Sequence, residues 1–167
     1  QGGTTVKQST FKDFDIVESF DTSIFFKPAA VRKVQKNFLL GGPLTGLIWV
    51  ANQANLLVGH PLHIKVDIFN KSPVSVEKVT LSLWEHKTLS GNGVNQSKKL
   101  KSSRSIQDVL VSDSNVPSGT QKSKTVKFVP RITAPTTRRA KLHSISYELV
   151  ARYELLVDSL EIRVPLN

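Results

Sequence analysis

The sequence predicts an all-β fold in which two antiparallel sheets pack as a β-sandwich of seven to eight strands. Apolar and polar residues alternate with a period of two in several separate segments, which is typical of half-buried strands. Turn-forming glycine, proline and asparagine residues separate these segments, and helical periodicity is hard to find. Strands with one polar face each favour two packed sheets, with a closed barrel as the alternative.

The clearest alternation runs over His143–Leu155, where every second residue falls on one face. That face carries His143, Ile145, Tyr147, Leu149, Ala151, Tyr153 and Leu155. Three shorter segments also alternate, and three others do so more weakly. The strong ones are Leu62–Ile68, Val79–Leu83 and Leu160–Val164, and the weak ones are Leu47–Asn52, Ser105–Val111 and Thr125–Val129. We expect the apolar positions to face the interior, with a partly buried imidazole at His143.

Turn sequences between these segments suggest how the strands connect. The short connection Asn70-Lys71-Ser72-Pro73 joins two strong strands and predicts that they form an antiparallel pair. Gly91-Asn92-Gly93 and Pro117-Ser118-Gly119 indicate longer loops. The Ser/Lys-rich stretch Gly91–Ser105 is expected to bridge two strands.

The chain of 167 residues is long enough for one domain with a proper core or for two very small ones. We assign residues 41–167 to the sandwich. Residues 1–40 are expected to form a partly ordered linker or hinge segment, in which Phe25 and Phe26 are apolar anchors ahead of a basic run. The chain lacks an initiator methionine, so we expect it to be part of a longer protein.

Composition excludes several classes of protein and site. There is no cysteine, so disulfides, thiolate metal sites and cysteine nucleophiles are impossible, and a reducing compartment is favoured. No apolar run approaches the ~20 residues that a membrane-spanning helix needs. The first residues show no secretory signal. These observations predict a cytoplasmic protein.

No motif predicts catalysis, so we expect a non-enzymatic protein without a metal or a cofactor. His60 and His63 are three residues apart, a spacing that places them on opposite faces of a strand. Glu148 and Glu154 share a strand face and are explained as exposed charges, not as the paired carboxylates of a glycosidase. The sequence contains no Gly-x-Ser-x-Gly motif, no glycine-rich phosphate loop and no dinucleotide-binding fingerprint.

The net charge of +10 is concentrated in one region. Between His86 and Lys141 twelve basic residues stand against two acidic ones, so the remainder of the chain is neutral. This region is either a solubilising surface or an anion-binding face for phosphoinositide head groups or phosphorylated tails. Nucleic acid is not an expected partner, because Phe128 is the only aromatic residue in the region. The candidate anion- or membrane-binding residues are Lys98, Lys99, Lys101, Arg104, Lys122, Lys124 and Lys127.

Two segments resemble the C-terminal domain of the arrestin family. In Gly41–His86, the turn Gly59-His60-Pro61 leads into the strand Leu62–Phe69, and Asn70 precedes a further strand at Val76–Leu83. In Phe128–Leu156, a proline-bearing segment leads into a strand that is similar to the family pattern I-x-Y-x-L-x-V. The matching positions are Ile145, Tyr147, Leu149 and Ala151, and the ending LEIRVPLN resembles the family's last strand.

The resemblance covers roughly residues 41–167 and implies an immunoglobulin-like sandwich of the arrestin C-domain type. It also implies an adaptor in trafficking or signalling that binds membrane cargo or the cytoplasmic tails of receptors. Such an adaptor links its cargo to endocytic machinery and is recruited peripherally to membranes, in some members through phosphoinositides. A missing N-terminal arrestin-like domain is expected in the full-length chain.

Two other functions stay open at this point. One is a stand-alone anion- or glycan-binding β-sandwich, and the other is a retromer-type sorting subunit with an arrestin fold. The sequence contains no Pro-Pro-x-Tyr motif, so the resemblance does not imply recruitment of a WW-domain ubiquitin ligase.

Overall fold

The computed structural model describes residues 30–51, 56, 59–93, 96–132 and 143–167, with the backbone alone at 91–93 and 96–98. These residues form eight β-strands and no α-helix. The strands are β1 Ala30–Lys36, β2 Leu44–Val50, β3 Leu62–Asn70, β4 Lys78–Gly93, β5 Gln96–Leu110, β6 Gln121–Phe128, β7 His143–Glu154 and β8 Ser159–Leu166. Accordingly, no helix in the described ranges could cross a membrane.

The eight strands form two antiparallel sheets of four strands each. The first sheet has the order β1-β2-β3-β6, and the second has the order β5-β4-β7-β8. The predicted all-β sandwich of seven to eight strands is therefore confirmed. The phenylalanines that the sequence suggests as linker anchors lie outside the described residues.

The core lies between the two sheets and is formed by the side chains that point inward at every second position of the strands. On β3 the buried apolar residues are Leu62, Ile64, Val66 and Ile68, and on β8 they are Leu160, Ile162, Val164 and Leu166. The predicted inward face of β7 is buried at every second residue from Tyr147 to Tyr153, and Leu155, just after the strand, is buried as well. His143 is the exception, because it is exposed and not partly buried as predicted. It lies at the start of β7, away from the main core.

The connection between β3 and β4 corrects a second prediction. The two strands do not pair, because the chain crosses from the first sheet to the second between them. Asn70 fixes this crossing from inside. Its Nδ2 donates to Val74 O at 2.8 Å and Val116 O at 3.0 Å, and its Oδ1 accepts from Ser72 N at 3.1 Å and Ser72 Oγ at 2.6 Å. A buried side chain with all its hydrogen bonds made replaces the turn of a hairpin.

Four connections, 37–43, 71–77, 111–120 and 155–158, lie together at one end of the sandwich, which we call the arch end. Gly42 N donates to Lys71 O at 2.8 Å, and a β-bridge joins Val76 to Val116. The opposite end carries the β4–β5 hairpin and is called the hairpin end.

The hairpin end extends beyond the first sheet. Gln107 on β5 donates to Val129 O at 3.0 Å, so β6 ends at the level where Gln107 pairs with Leu83. β4 continues from there to Gly93, roughly 30 Å at the rise of an extended strand. The stretch 91–105 is therefore largely strand, not the bridging loop that its Ser/Lys-rich composition predicts. Its side chains lack apolar alternation because much of it lies beyond the core.

β1 lies within residues 1–40, which the sequence predicts to be a linker or hinge segment. It pairs with β2 over seven residues, from Ala30 opposite Val50 to Lys36 opposite Leu44. The burial pattern of β1 shows no fully buried position, because it is an edge strand with exposed basic side chains. A strand of this kind has no clear apolar face, and so its sequence gives little alternation.

Candidate functional site

The seven predicted anion-binding residues lie on two strands of different sheets. Four of them belong to β5 and three to β6, and each strand forms the edge of its sheet. Along β5, the distance from Leu110 at the arch end to Lys99 is roughly 35 Å at the rise of an extended strand. The seven residues are therefore spread along the length of the sandwich.

Lys122 and Lys124 lie at the arch end and are bound to one carboxylate. Asp113 accepts from Lys122 Nζ at 3.0 Å and from Lys124 Nζ at 2.7 Å. These hydrogen bonds and charges lower the pKa of Asp113 to about 2. Part of the positive charge that the sequence assigns to an anion site is thus already neutralised by the protein.

Arg104 lies nearer the hairpin end and pairs with the buried carboxylate of Glu85. Its Nε donates to Glu85 Oε1 at 3.0 Å, and Lys87 Nζ lies 3.2 Å from the same oxygen. Burial opposes ionisation of Glu85, but hydrogen bonds and charges from Lys87 and Arg104 outweigh it and keep the pKa below its ordinary value. Arg104 is thus engaged by Glu85, although its side chain remains 65% exposed.

A β-bulge brings Arg104 onto the core side of β5. The register shifts between Leu83 and Trp84, so that Gln107 and Ser105 are their partners and Ile106 is the extra residue. Because side chains alternate along a strand, one extra residue exchanges the faces of everything that precedes it. This shift places Arg104 directly opposite Glu85.

Three of the predicted residues form no ion pair that the structure describes. Lys99 and Lys101 are exposed on β5, in the part of the hairpin beyond the core, and Lys127 is exposed on β6 opposite His63. The side chain of Lys98 lies outside the described residues. Only Lys99 and Lys101 are thus close neighbours with side chains open to a ligand.

Two of the four histidines lie near the start of β3, and the other two lie on the second sheet. His60 and His63 are exposed near the start of β3, whereas His86 on β4 lies 2.7 Å from Ser103 Oγ and 3.3 Å from Glu148 Oε2. Within the ranges that the structure describes, no three histidine or carboxylate side chains are arranged to hold a metal ion. Through its contacts with Ser103 and Glu148, His86 forms part of the polar outer face of the second sheet.

A group of four exposed aliphatic residues at the arch end was not predicted. Leu39 is fully exposed, and Leu40, Leu156 and Val157 are 81%, 84% and 90% exposed. The first two lie in the β1–β2 connection and the last two in the β7–β8 turn. An ion pair between Lys36, the last residue of β1, and Asp158, in the β7–β8 turn, holds the two connections side by side. We call these four residues the aliphatic tip.

Charges around the aliphatic tip are mostly paired within the protein. Lys78 Nζ lies 3.3 Å from Glu154 Oε2. Lys36 is paired with Asp158, and Asp113 is paired with Lys122. Lys33 and Lys71 are exceptions, since both are exposed and have no ion-pair partner among the described residues. They border a shallow groove of about 310 Å³ on the outer face of the first sheet. The groove is lined by Lys33, Pro43, Thr45, Leu47, Phe69 and Lys71.

Adjacent apolar residues in turn regions are the sequence signal that could have indicated the aliphatic tip. Leu39-Leu40 precedes Gly41-Gly42, and Leu156-Val157 stands where the alternation of β7 ends. In a strand such pairs place one side chain on each face, whereas in a turn both can point outward.

Comparison with known proteins gives no assignment. Neither a family model nor a curated protein matches this sequence.

Proposed function

We propose that this chain is a non-catalytic interaction module that docks reversibly on membrane surfaces through its aliphatic tip while it binds membrane cargo. The observation that carries the proposal is the exposure of four aliphatic side chains on two joined loops at one end of the sandwich. Exposed apolar patches of this kind are typical of contact sites for membranes or proteins. The adaptor role rests on the resemblance to the arrestin C-terminal domain.

The expected strength of this docking follows from the apolar area of the aliphatic tip. Complete burial of a leucine or valine side chain stabilises by about 1.5–3 kcal/mol, and four give about 6–12 kcal/mol as an upper bound. Loops at a bilayer interface bury only part of their apolar side chains, and the loss of their freedom of motion further reduces the net binding free energy. A single acyl chain binds membranes only marginally. The tip should therefore act together with a second contact, which is the role proposed for cargo.

Electrostatics adds a smaller contribution beside the tip. Lys33 and Lys71 border the groove next to the β1–β2 connection and can face anionic lipid head groups. Each lysine near an anionic surface contributes about 1 kcal/mol, and salt weakens that attraction. Docking by the tip is thus expected to favour the anionic cytoplasmic leaflet while depending only modestly on salt.

Anion binding at the hairpin end is the second candidate function, and one observation favours it. Lys99 and Lys101 are exposed and have no ion-pair partner in the part of the chain that the structure describes. They lie roughly 35 Å from the arch end along β5. The two candidate functions therefore use different ends of the molecule and can be separated by mutation.

Flotation with lipid vesicles tests the proposal. Wild-type protein should float with vesicles that contain phosphatidylcholine and a minority of phosphatidylserine, whereas a Leu40→Ser/Leu156→Ser variant should stay at the bottom of the gradient. Leu89→Ser/Leu100→Ser is the matched control, because it removes the same apolar side chains at the hairpin end. Equal flotation of the tip variant and the wild type would contradict the proposal. Loss of flotation only in Lys99→Glu/Lys101→Glu would favour the anion-binding alternative.

A further inference from the structure

The outer edge of β5 is the longest strand edge without a partner in the described structure. β5 has fifteen residues and is hydrogen-bonded to β4 on one side only. An edge strand presents a row of unpaired backbone N–H and C=O groups that another strand can pair with. The outer edge of β5 therefore offers main-chain donors and acceptors to another strand, and most of this edge lies beyond the end of the core.

The other edges are better protected than β5. β8 contains Pro165, which cannot donate a main-chain hydrogen bond, and Lys36 of β1 is paired with Asp158 in the β7–β8 turn. β6 has only eight residues, and its C-terminal end is tied to Gln107. The part of β5 from Lys99 to Ser105 is exposed throughout.

The two faces of this part of β5 differ in chemistry. Lys99 and Lys101 share one face. The other face carries Leu100, opposite Leu89 on β4, and also Ser102 and Arg104, whose guanidinium is paired with Glu85. Leu100 and Leu89 are 66% and 51% exposed, so this face has apolar surface that the protein does not cover within the described ranges. A strand added beside β5 would place alternate side chains next to the lysines and next to these leucines.

We propose that this edge of β5 binds an extended segment of a partner protein in which acidic residues alternate with apolar ones. Main-chain hydrogen bonds would supply much of the affinity, as in other cases of strand addition. The acidic side chains would lie beside Lys99 and Lys101, and the apolar ones beside Leu100. A second copy of this chain is a poorer partner, because pairing of two β5 edges would bring like charges together.

This inference is independent of membrane docking, since it concerns the hairpin end and not the aliphatic tip. Lysines on an exposed edge also deter self-association. The same two side chains can therefore exclude a second copy and admit an acidic strand. Selection by charge of this kind gives specificity as well as attraction.

The test uses the full chain and two synthetic peptides of seven residues. One alternates four glutamates with three valines, and the other has the same composition with the glutamates grouped at one end. Fluorescence anisotropy should show tighter binding of the alternating peptide, by about tenfold, because only this peptide matches both faces. When that peptide is added, hydrogen exchange should slow at those amides of residues 99–105 that point away from β4, because the amides between them are already hydrogen-bonded to β4.

Charge reversal supplies the variant and its control. Lys99→Glu/Lys101→Glu should lower the affinity for the alternating peptide by at least about tenfold. Arg32→Glu/Lys127→Glu makes the same change in net charge on the first sheet and should bind as the wild type does. Both variants should keep the melting temperature of the wild type, because the substituted side chains are exposed.

Three results would overturn the proposal. The first is equal affinity for the two peptides, which would indicate simple charge attraction. The second is peptide binding that leaves exchange at residues 99–105 unchanged. The third is slow exchange, before any peptide is added, at the amides that point away from β4, which would show that another part of the chain already occupies the edge.

Discussion

The ring of Tyr153 occupies the space that a side chain at position 46 would need. A Cβ placed on Gly46 would lie 2.7 Å from Tyr153 Cζ. The tyrosine is fully buried, and its hydroxyl donates to Leu47 O at 3.3 Å. Because Gly46 is on β2 and Tyr153 is on β7, this contact sets a close approach between the two sheets. Glycine within a strand often marks such an approach.

Replacement of Gly46 by alanine is expected to destabilise the fold. Packing on both sides and the hydroxyl hydrogen bond hold the ring, so the overlap must be relieved by a shift of the sheets. We expect a loss of about 1–3 kcal/mol in the free energy of unfolding, measured by urea denaturation. The double variant Gly46→Ala/Tyr153→Leu should lose less stability than the sum of the losses of the two single variants. Strict additivity would show that the two residues do not interact.

Replacement of Asn70 by alanine should be more costly. Val74 O and Val116 O would lose a buried donor, while the main-chain and side-chain donors of Ser72 would lose their acceptor. Leaving such groups unpaired costs about 2–4 kcal/mol in total, which thermal or urea unfolding can detect. Asn115→Ala is the control, because Asn115 is exposed at the same end of the sandwich. A loss no larger than that of the control would contradict the role of Asn70 in the crossing.

The lowered pKa of Glu85 predicts a dependence of stability on pH. A carboxyl group whose pKa is lower in the folded than in the unfolded chain stabilises the fold above the unfolded pKa, about 4.3 for glutamate. This contribution is lost as the pH falls through the folded pKa. The free energy of unfolding should therefore fall more steeply below about pH 5 for the wild type than for Glu85→Gln.

The size of this effect should be modest. Arg104 and Lys87 keep much of their side chains in solvent, so we expect Glu85→Gln to cost about 1 kcal/mol at neutral pH. Glu77→Gln is the control, since Glu77 is exposed. Parallel pH profiles for the wild type and Glu85→Gln would show that this carboxylate is not stabilised as described.

Asp113 should titrate near pH 2 in the folded chain, because Lys122 and Lys124 both donate to its carboxylate. Lys124→Gln should raise the pKa of Asp113 toward the ordinary value, which NMR titration of the side-chain carboxyl carbon can measure. Lys127→Gln removes an exposed lysine from the same strand and should leave the pKa unchanged. A pKa that is already ordinary in the wild type would contradict the description of these lysines as neutralised.

Strands with one buried face could be predicted from the sequence, and strands outside the core could not. β3 and β8 alternate because every second residue is buried between the sheets. Residues 99–105 of β5 are exposed throughout, so no alternation is imposed on them. The sequence around Asn70 predicts a hairpin, because hairpins and crossings between sheets can use the same short, polar turn residues.

The candidate sites show a similar division. Sequence gives the total charge of the basic region but not its pairing, which depends on folding. Asp113 approaches Lys122 and Lys124 only because β6 returns along the sandwich after the loop 111–120. The aliphatic tip also depends on folding, since its two halves are far apart in sequence and are joined by the pair of Lys36 and Asp158.

Insertion of the aliphatic tip into the bilayer can be measured by fluorescence quenching with brominated lipids. Leu156→Trp places an indole in the tip, and Leu100→Trp places one at the hairpin end, both at exposed positions. The native residues Trp49 and Trp84 provide the background signal of the wild type. On vesicles with bromines in the upper acyl chain, the Leu156→Trp signal should be quenched well beyond that background. Quenching at Leu100→Trp and not at Leu156→Trp would contradict docking through the tip.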